Sequence, residues 1–302
     1  MRIAYATDID TDSDIALGLS QQMNAALHAD GSEFVVLHDA DFQFEYTQEK
    51  TQIYYKGNPF HPQGFDALFL GDTLSADLTR EFVRAQIPVV NPPDAYFLQE
   101  DKIKFMALMQ HHGLPIPHST TVRTMEQVRL ATSLIPAPYV IKHPKQEGGT
   151  GVFVAESARS LLSIMEYLWT QSPDQRYLIQ AFIPTGEHDE TSRDYRCTVI
   201  GDRIISIVRS STTDFRTNWS RGGRFQLTTI SFEEEAMVRT VAQLSGLEVM
   251  GVDFLRGQDG QRYFTELNQA PGLIWEDEAI DQLHIQALIA LLKLKVCTNP
   301  VP

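Results

Sequence analysis

Apolar residues follow two alternating patterns through the first third of the chain. Short apolar runs at 3–6, 34–37, 67–70 and 89–91 read as buried strands, and helix-period stretches at 14–28 and 76–85 lie between them. Continuous apolar strands separated by amphipathic helices predict a parallel sheet covered by helices. Asn91-Pro92-Pro93 then interrupts the pattern and marks a boundary near residue 95. A helix is expected over 101–112, ending at Gly113. Strands with one helix, near 157–169, then make a smaller unit that runs to 182. From Asp194 onward, long alternating strands joined by Gly-containing turns predict an antiparallel sheet. A helix over 232–245 interrupts this sheet and another over 276–296 closes the chain. The expected organisation is α/β, and α+β overall: a parallel domain (1–95), a small central domain (96–182) and an antiparallel-sheet domain (183–302).

Composition removes several alternatives. With 302 residues, 43% of them apolar, the chain can bury a large core. A net charge of -14 opposes nonspecific nucleic-acid binding, which needs a basic face to displace counterions. The longest apolar runs are too short for a bilayer, and no signal peptide is visible at Met1. Cys197 and Cys297 are too few for a disulfide framework or a cysteine zinc site. A cytoplasmic protein bound to neither membrane nor nucleic acid is expected.

Asp8, Asp10, Asp12 and Asp14 alternate like a calcium loop, but the sixth position is Ser13 and the twelfth Leu19. Calcium loops need glycine and glutamate there, so a loop capping the first helix through Asp12 or Ser13 is the better reading.

The sharper chemistry begins with Val249-Met250-Gly251-Val252-Asp253-Phe254 and Tyr263-Phe264-Thr265-Glu266-Leu267-Asn268, which flank Asp259-Gly260. Asp-Gly between apolar strands is a strong hairpin signal, and a two-residue turn there sets Asp253 opposite Glu266. Asn268 shares the face of Glu266. Two facing carboxylates repel unless a cation lies between them, and three hard oxygen donors suit Mg²⁺. A solvated hairpin with incidental acids has the same pattern. Upstream, the apolar strand Tyr139-Val140-Ile141 delivers Lys142 ahead of a loop containing Gly148, Gly149 and Gly151. Glycines let backbone N–H groups approach phosphate and lysine adds charge, although a plain β-turn reads alike. No Walker or Rossmann pattern is present. There is no lysine between Lys145 and Lys293, yet arginines crowd residues 193–224. Their planar forks suit phosphate or carboxylate, with a salt-bridged surface as the alternative.

In order along the chain, Asn91-Pro92-Pro93, Asp101-Lys102, Gly113-Leu114-Pro115-Ile116-Pro117, Val140-Ile141-Lys142, Gln180-Ala181-Phe182-Ile183, Asp194-Tyr195-Arg196-Cys197, Asp214-Phe215-Arg216-Thr217-Asn218 with Arg221-Gly222-Gly223, and Glu266-Leu267-Asn268-Gln269-Ala270-Pro271-Gly272 resemble the ATP-grasp superfamily. The likeness is specifically to its RimK-like branch of amino-acid ligases, over residues 91–272. The resemblance implies ATP between two sheets, with Gln180, Ala181, Phe182 and Ile183 as the hinge that reads the base. It places Lys102 and Lys142 on the phosphates, Asp194 at the ribose or orienting neighbouring groups, and Arg216 and Asn218 along phosphates and metals. Asp253, Glu266 and Asn268 would hold two Mg²⁺ ions, with Mn²⁺ as a substitute. Arg196, Arg209 and Arg221 would meet the acyl-phosphate and the substrate carboxylate, under a Gly-rich lid. The implied reaction is ADP-forming amide synthesis, joining an amino acid to an amino acid, peptide or protein amine. Peptide-crosslinking and glutathione-synthetase-like ligases share this ATP site. A non-catalytic ATP-binding regulator would keep the fold, and homo-oligomers occur among such proteins. The histidines, His143 and His188 among them, read as structural. The acidic segment 184–193 departs from the family pattern and could border an acceptor site.

Overall fold

The computed structural model describes residues 1–8, 14–28, 31–71, 76–98, 101–146, 148–186, 192–218 and 221–298. The expected cap at Asp12 or Ser13 and the acidic residues 187–191, including His188, lie outside them.

β1 (Arg2–Thr7) is buried at every position but its first, as a central parallel strand must be. After α1 (Asp14–Leu27), β2 (Glu33–His38) pairs parallel with it. A three-stranded antiparallel meander follows, β3 (Phe42–Tyr46), β4 (Thr51–Tyr55) and β5 (Asn58–Phe60), which the apolar-run reading passed over. Its apolar positions alternate with Gln43 and Glu45, and aromatic rings hold it down: Phe42 meets Tyr55 at 4.8 Å and Phe60 at 5.1 Å. β6 (Ala67–Leu70), α2 (Ala76–Arg84), β7 (Val89–Val90) and α3 (Pro93–Leu98) complete the unit, with parallel strand order β2-β1-β6-β7.

α4 (Lys102–His111) starts where Asp101 accepts a hydrogen bond from the Ile103 N–H. β8 (Ser119–Val122), α5 (Met125–Leu134), β9 (Tyr139–Lys142), β10 (Val152–Ala155), α6 (Ala158–Gln171) and β11 (Tyr177–Ala181) follow. The four strands form an antiparallel sheet in the order β10-β9-β11-β8. This region carries two helices against its sheet, not one. α5 buries Val128 and Ala131 and leaves Leu130 and Leu134 exposed.

The last third is antiparallel, as expected: β12 (Ser192–Ile200), β13 (Arg203–Ser211), β14 (Arg224–Thr228), β15 (Val249–Arg256) and β16 (Arg262–Asn268) in the order β14-β13-β12-β15-β16. α7 (Phe232–Ser245) has a capping box between Ser231 and Glu234 and ends at left-handed Gly246. α8 (Glu278–Thr298) closes the chain.

Two apolar clusters bind the first and last thirds together. One joins Leu68 and Phe82 to Met109, Val252 and Phe254; the other joins Ile3 and Met23 to Val249 and Leu288. The central sheet has its own cluster around Ile141, Leu161 and Met165. Asn91, fully buried, fastens the N-terminal sheet to the antiparallel one. Its Nδ2 donates to the carbonyls of Val249 (2.6 Å) and Gln269 (2.9 Å). Its Oδ1 accepts from the N–H groups of Glu248 (2.7 Å) and Val249 (2.6 Å).

The hairpin reaches its register differently from the two-residue turn expected. Gly257 donates to Gln261, and Gly260 (φ +80°) donates to Gly257, so the loop has three residues. Arg256 therefore faces Arg262, one step out of the expected register, and a bulge at Thr265 restores Asp253 opposite Glu266.

Candidate active site

One face of the antiparallel sheet is a charge ladder. Asp194 and Arg196 share a face of β12, Arg209 of β13 stands opposite Asp194, and Asp253 of β15 stands opposite Arg196. Arg196 donates from Nε and Nη2 to the two oxygens of Asp253, each at 2.6 Å. Arg209 donates to both oxygens of Asp194 at 2.7 and 2.6 Å and to Asp253 Oδ2 at 2.8 Å. Burial pushes the Asp253 carboxyl upward, but the Arg196 and Arg209 guanidiniums overcome this and hold it well below the usual carboxylate range. Burial likewise opposes the charge on Arg209, and Asp194 and Asp253 more than restore it.

The second acid of the pair meets lysine. Lys102, the buried first residue of α4, reaches Glu266 Oε1 at 2.8 Å and donates to the Gln146 carbonyl at 2.5 Å. Lys142, at the end of β9, faces the same carboxylates. Desolvation pushes its ammonium down to about 8, against the pull of Glu266, and Lys102 adds repulsion.

The Gly-rich stretch is drawn across these groups by arginines. Arg216 donates to the carbonyls of Gly149 and Val152 at 3.3 Å, and Arg221 to that of Gly148 at 3.3 Å. Arg216 is itself oriented by Asp214, at 2.7 Å, which it holds below the usual carboxylate range. Gly148, Gly149 and Gly151 all have positive φ. A Cβ on Gly149 would stand 2.5 Å from Asn218 Oδ1, so the close approach requires glycine.

Between the two sheets lies a cavity. At one end are Lys102, Lys142, Asp253 and Glu266; at the other are Ala181, Phe182, Ile183, Leu255 and Phe215. Gln180, Asp194, Arg209, Arg216, Asn218 and Gly149 also line it. The structure thus gathers most of the expected site residues. Arg196, Arg221, Gly148, Gly151 and Asn268 are not among the lining residues: Arg196 is paired with Asp253, Arg221 lies outside against Gly148, and Asn268 sits beyond Glu266, opposite Gly251. Arg196 and Arg209, expected to meet substrate, are engaged largely in holding carboxylates. His143 Nδ1 accepts from the Lys145 N–H at 3.2 Å.

Sequence reading missed Val140, Val152, Leu255 and Thr265 as lining residues. Val140 and Leu255 were accessible through alternation, since they share strand faces with Lys142 and Asp253. Thr265 was not, because strict alternation turns it away from Glu266. The bulge sets both toward the cavity.

The donors suit a hard divalent cation. Asp253 uses three lone pairs on arginines, leaving one on Oδ1 for single-point ligation. Asn268 has a buried Nδ2 without a hydrogen-bond partner among the described residues, consistent with an amide set by its oxygen. No group of three His, Cys, Asp or Glu side chains among the described residues could hold a metal. Two carboxylates and one amide oxygen remain, the sparse set that Mg²⁺ takes when phosphates supply the rest.

Comparison with known proteins identifies the family. Residues 99–291 match the family model of the RimK-like ATP-grasp domain. The chain belongs to the RimK-like ATP-grasp family. A probable alpha-L-glutamate ligase of Pasteurella multocida is 31% identical over 218 residues, covering 71% of this chain and 67% of that protein. A RiPP-associated ATP-grasp ligase of Chryseobacterium gregarium, solved with ADP and a leader and core peptide, superposes with a TM-score of 0.70. Its identity is 14%, over 97% of each chain. The ATP-grasp ligase PsnB, solved with a phosphomimetic variant of a minimal precursor, Mg and ADP, gives a TM-score of 0.67 at 19% identity, covering 96% and 98%. These two share the fold. As a RimK-like ATP-grasp protein, this chain is an ATP-dependent, ADP-forming carboxylate–amine ligase. No helix among the described residues is long and apolar enough to cross a membrane.

Proposed function

We propose that this ligase activates the carboxylate of an amino acid or peptide as an acyl-phosphate and passes the acyl group to an amino acid, peptide or protein amine. The supporting observation is the meeting of Lys102 and Lys142 with Asp253 and Glu266 at the polar end of one cavity, opposite an apolar hinge. The base stacks among Ala181, Phe182, Ile183 and Leu255. Lys102 and Lys142 turn to the phosphates, and Asp194 faces the ribose. Asp253, Glu266 and Asn268 would hold Mg²⁺, which would neutralise charge on the phosphoryl oxygens.

A carboxylate oxygen forms a bond to the γ-phosphorus as the bridging bond to ADP breaks. The amine nitrogen then bonds to the acyl carbon, and phosphate and the amine's proton leave. Arg221 stands apart from the ion pairs of the ladder, against the lid at Gly148, and its proposed role is to meet the substrate carboxylate or acyl-phosphate. Arg196 and Arg209 act mainly by positioning Asp253 and Asp194. The lid of Gly148, Gly149 and Gly151 keeps water from the acyl-phosphate. Glutamate as one of the two joined partners is favoured by the Pasteurella relative's name. Peptide crosslinking is the second reading, since the PsnB fold accommodates a precursor peptide.

The test is Mg-ATP-dependent phosphate release across amino acids and peptides, followed by mass measurement of the product. Glu266→Ala is expected to abolish turnover while circular dichroism stays native. Wild-type rates in that variant would overturn the metal assignment.

A further inference from the structure

The stretch that follows β13 brings an acid, Asp214, beside the Gly-rich lid, and none of the steps above uses it. Ser211, buried at the end of β13, accepts from the N–H groups of Thr213 (3.3 Å) and Asp214 (3.1 Å), which turns the chain as the strand stops. Among the described residues, every hydrogen-bond donor to the Asp214 carboxylate belongs to Arg216. The Arg216 backbone N–H donates to Oδ1 at 2.9 Å, Nε reaches both oxygens at 3.1 Å, and Nη2 reaches Oδ2 at 2.7 Å.

That grip decides where the rest of the guanidinium goes. Its five N–H groups lie in one plane. With Nε and Nη2 on Asp214, Nη1 meets the carbonyls of Gly149 and Val152, each at 3.3 Å. Arg216, expected along the phosphates, is thus held mainly by its neighbour and by the lid. Other contacts converge on the same few residues. Arg221 donates to the Gly148 carbonyl at 3.3 Å, and Asn218 fills the place that a Gly149 side chain would take. The Asn218 carbonyl in turn accepts from the N–H groups of Arg221 (3.0 Å) and Gly223 (3.2 Å).

Holding a carbonyl also aims an amide. In a trans peptide the C=O and the following N–H point opposite ways. Arg221 on Gly148 and Arg216 on Gly149 therefore set the directions of the Gly149 and Thr150 N–H groups, the kind that a Gly-rich loop offers to phosphate.

Arg216 does not keep this pose by burial, since its side chain is 23% exposed. It also lines a cavity that contains Asp194, Asp253 and Glu266, three carboxylates able to draw a freed guanidinium off the lid. A carboxylate that takes Nε and Nη2 together fixes the plane of the fork as well as its charge. An ordinary loop ion pair would brace one loop. This one links the antiparallel sheet to the lid of the central sheet.

We propose that Asp214 is a positioning residue that, through Arg216, sets the closed position of the Gly-rich lid. This rests on the reading above in which closure keeps water from the acyl-phosphate.

Closure is measured without substrate, by limited trypsin digestion of the whole chain. Lys145 is exposed at the base of the lid, and Lys50, exposed in the N-terminal meander, is the internal reference. Fragment masses follow cleavage after each lysine in wild type, Asp214→Ala, Asp214→Asn, Arg216→Ala and the Asp214→Ala/Arg216→Ala double variant. Proteolysis tracks the open population, so Asp214→Ala should raise the rate at Lys145 relative to Lys50 about fivefold or more. Arg216→Ala should match it, and the double variant should add nothing further. Asp214→Asn keeps the shape and one acceptor without the charge, and should fall between. An unchanged ratio in Asp214→Ala overturns the assignment. So does a double variant whose effect multiplies those of the singles, because Asp214 would then act without Arg216. An equal rise at Lys50 and Lys145 marks general loosening and overturns it as well. With a substrate pair that is turned over, Asp214→Ala should release more phosphate than amide. If cleavage follows the expected pattern while phosphate and amide stay equal, Asp214 keeps its role and the water-excluding reading of the lid falls.

Discussion

Lys142 is placed under two opposing demands. Burial lowers its pKa to about 8, whereas its proposed phosphate role needs the proton. Affinity of the free enzyme for MgATP should therefore fall as pH rises through about 8, and Lys142→Arg should remove that fall. Stability should move the other way. A lysine whose folded pKa lies below its unfolded value of 10.5 disfavours folding while charged, and that cost fades as pH rises from about 8 toward 10.5. Titration calorimetry against pH, beside denaturant melts of wild type and Lys142→Met, measures both trends. Parallel trends in affinity and stability would contradict the assignment. Asp253 shows the complementary case. Its two arginines keep it ionised while buried, so the acid is ready for a cation without a change of protonation.

Between elements, the controlling contact is Asn91. Asn91→Ala would strip partners from the N–H groups of Glu248 and Val249 and the carbonyls of Val249 and Gln269. Leaving several buried backbone groups unpaired should cost about 3 kcal/mol or more, visible as a lower urea midpoint. A change below about 0.5 kcal/mol would show that the join lies elsewhere. This contact also shows what a sequence can and cannot reveal. Asn91-Pro92-Pro93 reads locally as a boundary, but its partners lie more than 150 residues away, and no local pattern records them. The hinge at 180–183 came only through the family resemblance, whereas local patterns did disclose Lys142 with its glycines and the Asp253–Glu266 pair. That pair was found by way of a turn one residue too short, and the Thr265 bulge compensates. The pairing of Arg196 and Arg209 with buried acids followed only from cross-strand register.

For the whole molecule, closure of the central sheet over the antiparallel one depends on backbone that only glycine provides. At Gly149, φ is +72° and Asn218 fills the space a side chain would need. Gly149→Val should leave the lid ajar, so that phosphate release exceeds amide formation as water takes the acyl group. Comparing phosphate with product by mass measures the leak, and a ratio still at one would remove the loop from that role. The cavity beneath is also unlike the rest of the protein in charge. Lys102, Lys142, Arg193, Arg209 and Arg216 outnumber Asp194, Asp253 and Glu266 within it, while the chain as a whole carries -14. An incoming nucleotide anion thus crosses a repelling exterior before it meets an attracting interior. Raising ionic strength from about 10 to about 100 mM shortens the screening length from about 30 Å to about 10 Å. That mutes the long-range repulsion more than the short-range capture, so stopped-flow arrival of ATP should quicken with salt, the reverse of an enzyme whose surface beckons its substrate.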